Sequence, residues 1–149
     1  MNPLNIVIVD DEANIRKILS LCLESYGHRV TAVSNGRDAL AETGRQFFDM
    51  AFLDLRLATE SGLDLVPVLI GPCPWMKIVI ITAYATVDTA AEAIRRGAID
   101  YLPKPFTPDQ GKLLTRRVGR IRELETEVAA LRENLQRLGP ADCLPSRNA

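Results

Sequence analysis

Five polar side chains follow short apolar runs in this chain, and their types are those that handle metal ions and phosphate. They are Asp10, Asp11, Asp54, Thr82 and Lys104. Crowded carboxylates repel one another unless a cation joins them, and their hard oxygens suit Mg²⁺. A lone carboxylate such as Asp54 can also attack phosphorus when a metal ion and a cation stabilise the transferring group. Lys104 would supply that cation, and the Thr82 hydroxyl would supply a neutral donor.

The elements that must position these side chains are the strands of a parallel sheet. Apolar runs at residues 6–9, 51–53, 78–81 and 101–103 each end directly before one of the polar positions. Short apolar runs that alternate with helical patterns predict buried parallel strands, and ligands of such sheets bind beyond the carboxyl ends of the strands. Five alternations of strand and helix therefore predict a doubly wound α/β domain with the polar set at one sheet edge.

The last helical pattern is longer than the others. Thr107–Gln110 offer an N-cap, a proline at the first helical position and a capping-box glutamine. Apolar residues then recur at alternating four- and three-residue steps, which is a heptad seam. The seam residues are Leu124, Val128, Leu131, Leu135 and Leu138.

These patterns divide the chain into three parts. We expect a core at residues 1–106, and at 107–138 a fifth helix that continues into a coiled coil. Residues 139–149 contain two prolines and no periodicity, which predicts a disordered tail. The alternative for the seam is an amphipathic helix that folds back on its own domain.

The bulk composition is ordinary for a globular protein, with 149 residues, 47% hydrophobic and 25% charged. A net charge of −1 gives no general attraction to nucleic acid or to an anionic membrane. Three scattered cysteines fit a reducing compartment, and no apolar stretch is long enough to span a bilayer. We therefore expect a cytoplasmic protein that binds neither nucleic acid nor membrane.

A basic cluster in the last helix is expected to be a solvated face or to pair with acids of a partner chain, since no base-reading module accompanies it. Its members are Lys112, Arg116, Arg117, Arg120 and Arg122.

Four segments together resemble the receiver domain of bacterial two-component response regulators. They are Val9-Asp10-Asp11-Glu12, Leu53-Asp54-Leu55, Ile81-Thr82-Ala83-Tyr84 and Asp100-Tyr101-Leu102-Pro103-Lys104-Pro105-Phe106. The resemblance covers nearly all of residues 4–125. It implies a flavodoxin-like (CheY-like) fold with strand order 2-1-3-4-5. It also implies that a sensor histidine kinase phosphorylates Asp54 with Mg²⁺ as cofactor.

The resemblance further implies roles for the individual residues around the phosphoacceptor. Asp11, Asp54 and the backbone carbonyl of Arg56 would ligate the metal, and Asp10 would act mainly through water. Lys104 would hold the phosphoryl group, and its peptide bond to the following proline would be cis.

The same resemblance implies a conformational switch, and two side chains near Asp54 bear on how long its phosphoryl group lasts. Thr82 would move toward the phosphoryl oxygens while Tyr101 turns inward. Arg56 and Tyr84 would flank the path of the hydrolytic water, so we expect slow self-dephosphorylation. Ala58 stands where many family members have proline, which predicts a less rigid loop after the acceptor.

Residues 80–90 and 122–135 also resemble the NtrC class of sigma-54-dependent transcriptional activators. In that class a linker helix joins the receiver to an AAA+ ATPase and a helix-turn-helix domain. Because the sequence contains no Walker-type loop, we expect both of these domains to be absent from a chain that is either an excised regulatory fragment or naturally ends here. Homodimerisation through the last helix and the helix after Thr86 would let phosphorylation reposition the two coils.

Other functions make different demands on the residues. A haloacid-dehalogenase-like phosphatase expects its nucleophile two residues before a second aspartate, whereas Asp10 and Asp11 are adjacent. A flavin carrier would need hydroxyls and glycines after the first strand, where the acid pair would repel phosphate. We expect no enzyme activity beyond self-phosphorylation and slow self-dephosphorylation. A stand-alone single-domain response regulator and a phosphorylation-independent dimerisation module are the alternatives.

Overall fold

Five strands alternate with five helices in the computed structural model, which describes residues 3–58, 60–83 and 86–138. The strands are β1 (Asn5–Val9), β2 (Arg29–Val33), β3 (Met50–Asp54), β4 (Lys77–Thr82) and β5 (Asp100–Pro103). The helices are α1 (Ala13–Ser25), α2 (Gly36–Arg45), α3 (Gly62–Ile70), α4 (Val87–Arg96) and α5 (Pro108–Leu138).

The strands form one parallel sheet in the order β2-β1-β3-β4-β5. Helices cover both faces: one apolar cluster packs α2, α3 and α4 against the sheet, and the other packs α1 and α5. All five residues of the central strand β3 are buried as a result. The predicted fold and strand order are confirmed.

Helices α4 and α5 start where the sequence predicts, and each begins with a capping box. Before α4, Thr86 Oγ1 accepts a hydrogen bond from Thr89 N at 3.1 Å, and Thr86 N donates to Thr89 Oγ1 at 2.9 Å. Before α5, Thr107 N donates to Gln110 Oε1 at 2.8 Å, and Gln110 N donates to Thr107 Oγ1 at 3.3 Å. Each capping box satisfies backbone N–H groups that the first helical turn leaves unpaired.

Helix α5 has a buried first half and an exposed second half. Leu114 and Val118 belong to the core, whereas every residue from 124 to 137 is exposed. The seam residues Leu124 and Leu131 are 42% and 63% exposed. The seam therefore does not fold back on its own domain. The predicted tail, residues 139–149, lies outside the described residues.

For the basic cluster of α5, the expectation of a solvated face or of pairing with a partner chain is partly wrong. Arg117 pairs with Asp100 at 2.8 Å, and Arg122 pairs with Asp49 at 3.2 Å. Several of these charges therefore bind acids of their own domain, because α5 crosses the sheet edge where those acids lie. Among the described helices, none combines the length and the apolar composition needed to cross a membrane.

A buried histidine stabilises the start of the sheet. His28 lies in the turn between α1 and β2, and its Nδ1 accepts a hydrogen bond from Leu4 N at 3.0 Å. Its Nε2 is buried without a hydrogen-bond partner among the described residues. Burial lowers the pKa of His28 below its ordinary value. The folded protein therefore favours the neutral imidazole with Nδ1 as acceptor.

This environment predicts a loss of stability in mild acid. The unfolded chain binds the proton more readily, so the contribution of His28 is fully present above about pH 6.5 and is lost as the pH falls toward the lowered pKa. His28→Asn keeps an acceptor for Leu4 N and does not titrate. Urea unfolding from pH 8 to pH 5 should show a smaller stability difference between wild type and variant at the acid end. Parallel pH curves would contradict the prediction.

Candidate functional site

The carboxyl ends of three strands bring two acids and a lysine together. Asp10 directly follows β1, Asp54 ends β3, and Lys104 follows β5. Val9 pairs in register with Leu53, so the next residue on each strand, Asp10 or Asp54, projects at the same sheet edge. Both carboxylates are buried. The predicted convergence of these residues at one edge is what the structure shows.

Lys104 is the cation at the centre of this cluster. Its Nζ lies 2.9 Å from Asp10 Oδ2, 3.1 Å from Asp54 Oδ2 and 3.2 Å from Glu12 Oε1. Burial alone lowers the pKa of Lys104, but the contacts with the Asp10 and Asp54 carboxylates outweigh it and hold that pKa above the ordinary lysine value. The ammonium group is therefore charged throughout the neutral range. The peptide bond from Lys104 to Pro105 is cis, as the resemblance implies.

The Asp10 carboxylate is short of compensating charge. Desolvation raises its pKa above the ordinary aspartate value, and the nearby Asp54 charge adds to the rise. The hydrogen bond from Glu12 N to Oδ1, at 2.8 Å, and the contact with Lys104 act in the opposite direction but do not cancel it. A further cation would therefore be stabilised at this position.

The acidic cluster fits a hard divalent cation such as Mg²⁺. Asp10, Asp11, Glu12 and Asp54 each offer a carboxylate oxygen, and these oxygens lie within 4.8 Å of one another. The buried Asp10 Oδ2 contacts Lys104 as an ion pair but has no hydrogen-bond partner among the described residues, which leaves lone-pair capacity for a ligand.

Glu12 was missing from the residues to which the sequence reasoning gave a role. The feature of the sequence that could have pointed to Glu12 is its position as the third acid in a row after β1. Its contact with Lys104 spans 92 residues of sequence, so the spacing alone could not show it.

The loop from β3 to α3 closes tightly against the end of β3. Gly62 N donates to Leu55 O at 2.8 Å, and a Cβ at Gly62 would lie 2.1 Å from Asp54 O. Only glycine permits this approach of the two backbones. The Glu60 carboxylate also accepts a hydrogen bond from Gly36 N at the start of α2. These contacts hold the described part of this loop, which the sequence predicts to be less rigid because of Ala58.

Thr82 and Arg56 share a cavity beside the cluster. Thr82 is buried at the end of β4 and lines a cavity of about 270 Å³ between the β3–α3 loop and α4, together with Arg56 and Thr89. Arg56 N also donates to Asp54 Oδ1 at 3.1 Å, which restrains the orientation of the Asp54 carboxylate. Thr82 thus borders a cavity that is also lined by Leu55, the residue after Asp54.

Tyr101 lies apart from the acidic cluster, on the edge strand β5, and it is 42% exposed. Tyr84 lies outside the described residues. The expected slow self-dephosphorylation therefore stays a prediction.

The fold and the acidic edge together define a receiver-type phosphoacceptor domain, and comparison with known proteins gives the family. Residues 6–116 match the response regulator receiver domain, so the chain belongs to that family. Its resemblance to the receivers of NtrC-class regulators is confirmed by its relatives.

The most informative relatives include both full-length regulators and isolated receivers. The chain is 42% identical over 134 residues to the alginate biosynthesis transcriptional regulatory protein AlgB of Pseudomonas aeruginosa, covering 90% of this chain and 30% of that protein. A crystal structure of NtrX from Brucella abortus in complex with ADP matches with a TM-score of 0.81 at 33% identity, covering 88% of this chain and 29% of that one.

A CheY-like receiver domain protein from Methanospirillum hungatei JF-1 matches with a TM-score of 0.77 at 27% identity, covering 83% of this chain and 99% of that one. The chain thus spans about 30% of the length of the AlgB proteins that it matches.

Removing the central cation should expose the repulsion in the cluster. In EDTA, Lys104→Met should lower the free energy of unfolding by about 3–5 kcal/mol, because two buried carboxylates lose their partner. Added Mg²⁺ should stabilise this variant more than it stabilises the wild type, since the metal replaces the lost positive charge. Urea unfolding with EDTA and with Mg²⁺ measures both effects. Lys17→Met, at an exposed position on α1, is the control, and an equal loss in both variants would refute the account.

Proposed function

We propose that Asp54 accepts a phosphoryl group from the phosphohistidine of a sensor kinase and that the modified receiver controls a sigma-54-dependent transcriptional activator. The observation that carries the proposal is the convergence of the buried Asp54 carboxylate, the Asp10 carboxylate and the Lys104 ammonium at one sheet edge. The family and the transcriptional regulators among its relatives support the signalling role.

The chemistry is a phosphoryl transfer between two side chains. Asp54 Oδ2 attacks phosphorus and forms a P–O bond while the P–N bond to the kinase histidine breaks and its electron pair returns to the imidazole nitrogen. Lys104, already 3.1 Å from that oxygen, pairs with the phosphoryl oxygens as their charge arrives.

Asp11, Asp54 and the backbone carbonyl of Arg56, with Asp10 acting mainly through water, would hold Mg²⁺, which would supply positive charge to offset that of the phosphoryl group. Glu12 adds a fourth carboxylate within reach of the cluster. The chain would be a phosphoacceptor with no external substrate to turn over.

The response to phosphorylation would pass through Thr82 and Tyr101. A phosphoryl group adds nearly two negative charges and strong acceptor oxygens next to the cavity that Thr82 lines. The hydroxyl would donate to one of those oxygens, and Tyr101 would turn from its exposed position into the space that Thr82 leaves. The burial of Thr82 and the exposure of Tyr101 are the starting positions that this movement requires.

Asp54→Asn tests the phosphoacceptor assignment. In Mg²⁺ and acetyl phosphate, the intact mass of the wild type should rise by one phosphoryl group, and the variant should stay unmodified because an amide is a poor nucleophile. Asp88→Asn, at an exposed position on α4, should be labelled like the wild type. Labelling of the Asp54→Asn protein, or rapid turnover of acetyl phosphate, would contradict the proposal; the second result would favour a phosphatase.

We further propose that the chain forms a parallel homodimer through α5. The seam residues Leu124, Val128 and Leu131 are exposed, and a helix with this apolar stripe is stabilised by packing against another. With Val128 at position a and Leu131 at position d, the flanking e and g positions carry charges. These flanking residues are Arg120, Glu125, Glu127 and Arg132.

The flanking charges favour a parallel pair of helices. In a parallel coiled coil, each g residue lies near the e residue of the following heptad on the other helix. Arg120 would then meet Glu125 of the partner subunit, and Glu127 would meet Arg132 of the partner subunit. Both pairs join opposite charges.

A charge in the seam should abolish this dimer. Leu131→Asp should sediment as a monomer at concentrations where the wild type is dimeric, because it places a carboxylate in an apolar interface. Ala130→Asp carries the same charge on the outer face of the helix and should remain dimeric. Analytical ultracentrifugation with and without beryllofluoride measures the effect in both states of Asp54. Equal masses for the two variants would refute the seam.

A further inference from the structure

The seam of α5 runs beside a groove that its own domain forms. The loop between α3 and β4 carries Pro74 and Trp75, and a groove of about 620 Å³ separates this loop from α5. On the helix side the groove is lined by Ile121, Leu124 and Val128. Two of these three residues also belong to the exposed seam.

The loop wall of the groove is rigid. The Trp75 ring stacks on Phe47 with ring centres 4.9 Å apart and an interplanar angle of 4°. The indole Nε1 donates to Phe48 O at 3.1 Å, which fixes the orientation of the ring. The Phe47 side chain is itself 50% exposed, so an apolar surface continues outward from the groove.

The helix wall of the groove is fixed to the same amino-terminal edge of the sheet as the loop wall. Arg122 Nε lies 3.2 Å from Asp49 Oδ1, and its guanidinium lies over the Phe47 ring at 5.6 Å. Lys77 Nζ lies 2.7 Å from Glu125 Oε2. Because both walls are attached to the amino-terminal edge of the sheet, the groove is preformed and needs little ordering when it is filled.

We propose that this groove receives α5 of a second copy of this chain, so that Trp75 is part of the dimer interface. The proposal rests on the homodimer proposed above and extends it from the helices to the body of the domain. Leu124 and Val128 line the groove and also form the seam. A helix packed on the seam must therefore also cover the mouth of the groove.

The charges at the groove match a second copy. The flank of α5 that lines the groove carries Glu125 and Arg132, the two e positions. In a parallel pair, the g residues of the other helix lie over this flank. Those are Arg120 and Glu127 of the partner subunit, with signs opposite to Glu125 and Arg132 respectively. The groove is thus complementary to the sequence of its own helix.

Trp75 makes the proposal measurable, because it is the only tryptophan in the sequence. It precedes β4, so it lies at the sheet edge opposite to Asp54. Substitutions at Trp75 should therefore leave phosphorylation of Asp54 unchanged, which separates a failure of this inference from a failure of the phosphoacceptor assignment.

The first measurement is the dimer dissociation constant by analytical ultracentrifugation, in the state of Asp54 that dimerises more tightly. Trp75→Ala should weaken the dimer about tenfold or more, as expected for a buried aromatic at an interface, and Trp75→Phe should stay within about threefold of the wild type. Val68→Ala, at an exposed apolar position on α3, is the control and should leave the constant unchanged. An unchanged constant for Trp75→Ala would overturn the proposal.

The second measurement needs no substitution at Trp75 and so does not depend on how that variant folds. Acrylamide quenching of tryptophan fluorescence should fall as the wild type dimerises with concentration and should stay constant for the monomeric Leu131→Asp protein. Equal quenching of wild-type monomer and dimer would overturn the inference while leaving the coiled-coil dimer intact. A wild type that stays monomeric with and without beryllofluoride would overturn both.

Discussion

The site depends on one buried ammonium group held between two buried carboxylates. Lys104 Nζ lies within 3.1 Å of both Asp10 and Asp54, and the Lys104 side chain is 9% exposed. In such an environment an unpaired charge is costly, so both carboxylates depend on the lysine for compensating positive charge. One cation against four neighbouring carboxylates still leaves an excess of negative charge. That excess favours a divalent ion, whose positive charge would also attract the oxygens of a phosphoryl group.

The acidic site and the residues that hold the second half of α5 lie at opposite edges of the parallel sheet. Its carboxyl edge carries the acids, Lys104 and Thr82, whereas its amino edge carries Asp49, Lys77 and Trp75. Helix α5 spans both edges: it begins shortly after Lys104 and is clamped to the amino edge by Arg122. Its 31 residues extend over roughly 46 Å at 1.5 Å per residue. A shift at the site can therefore be carried to the exposed seam by one rigid element.

Much of this arrangement could be predicted because strand periodicity and strand ends are local signals. The apolar runs located the strands, and the rule that parallel strands end at one edge brought Asp10, Asp54 and Lys104 together. The same reasoning failed for the basic cluster of α5, since whether an arginine meets solvent or Asp49 depends on where the helix crosses the sheet. It also passed over Trp75, which follows a Pro-Cys-Pro turn and looks like part of a loop.

The sequence by itself determined the alternation of elements, the capping box before α5, the identity of the acid and cation set, and the heptad period of the last helix. Each strand, cap and heptad is encoded by residues a few positions apart, which backbone geometry alone connects, and the acid and cation set follows from where the strands end. Only the tertiary structure decided that Glu12 reaches Lys104 and that Arg122 reaches Asp49 across 73 residues. Such contacts arise when packing brings distant segments together, so no local sequence pattern predicts them.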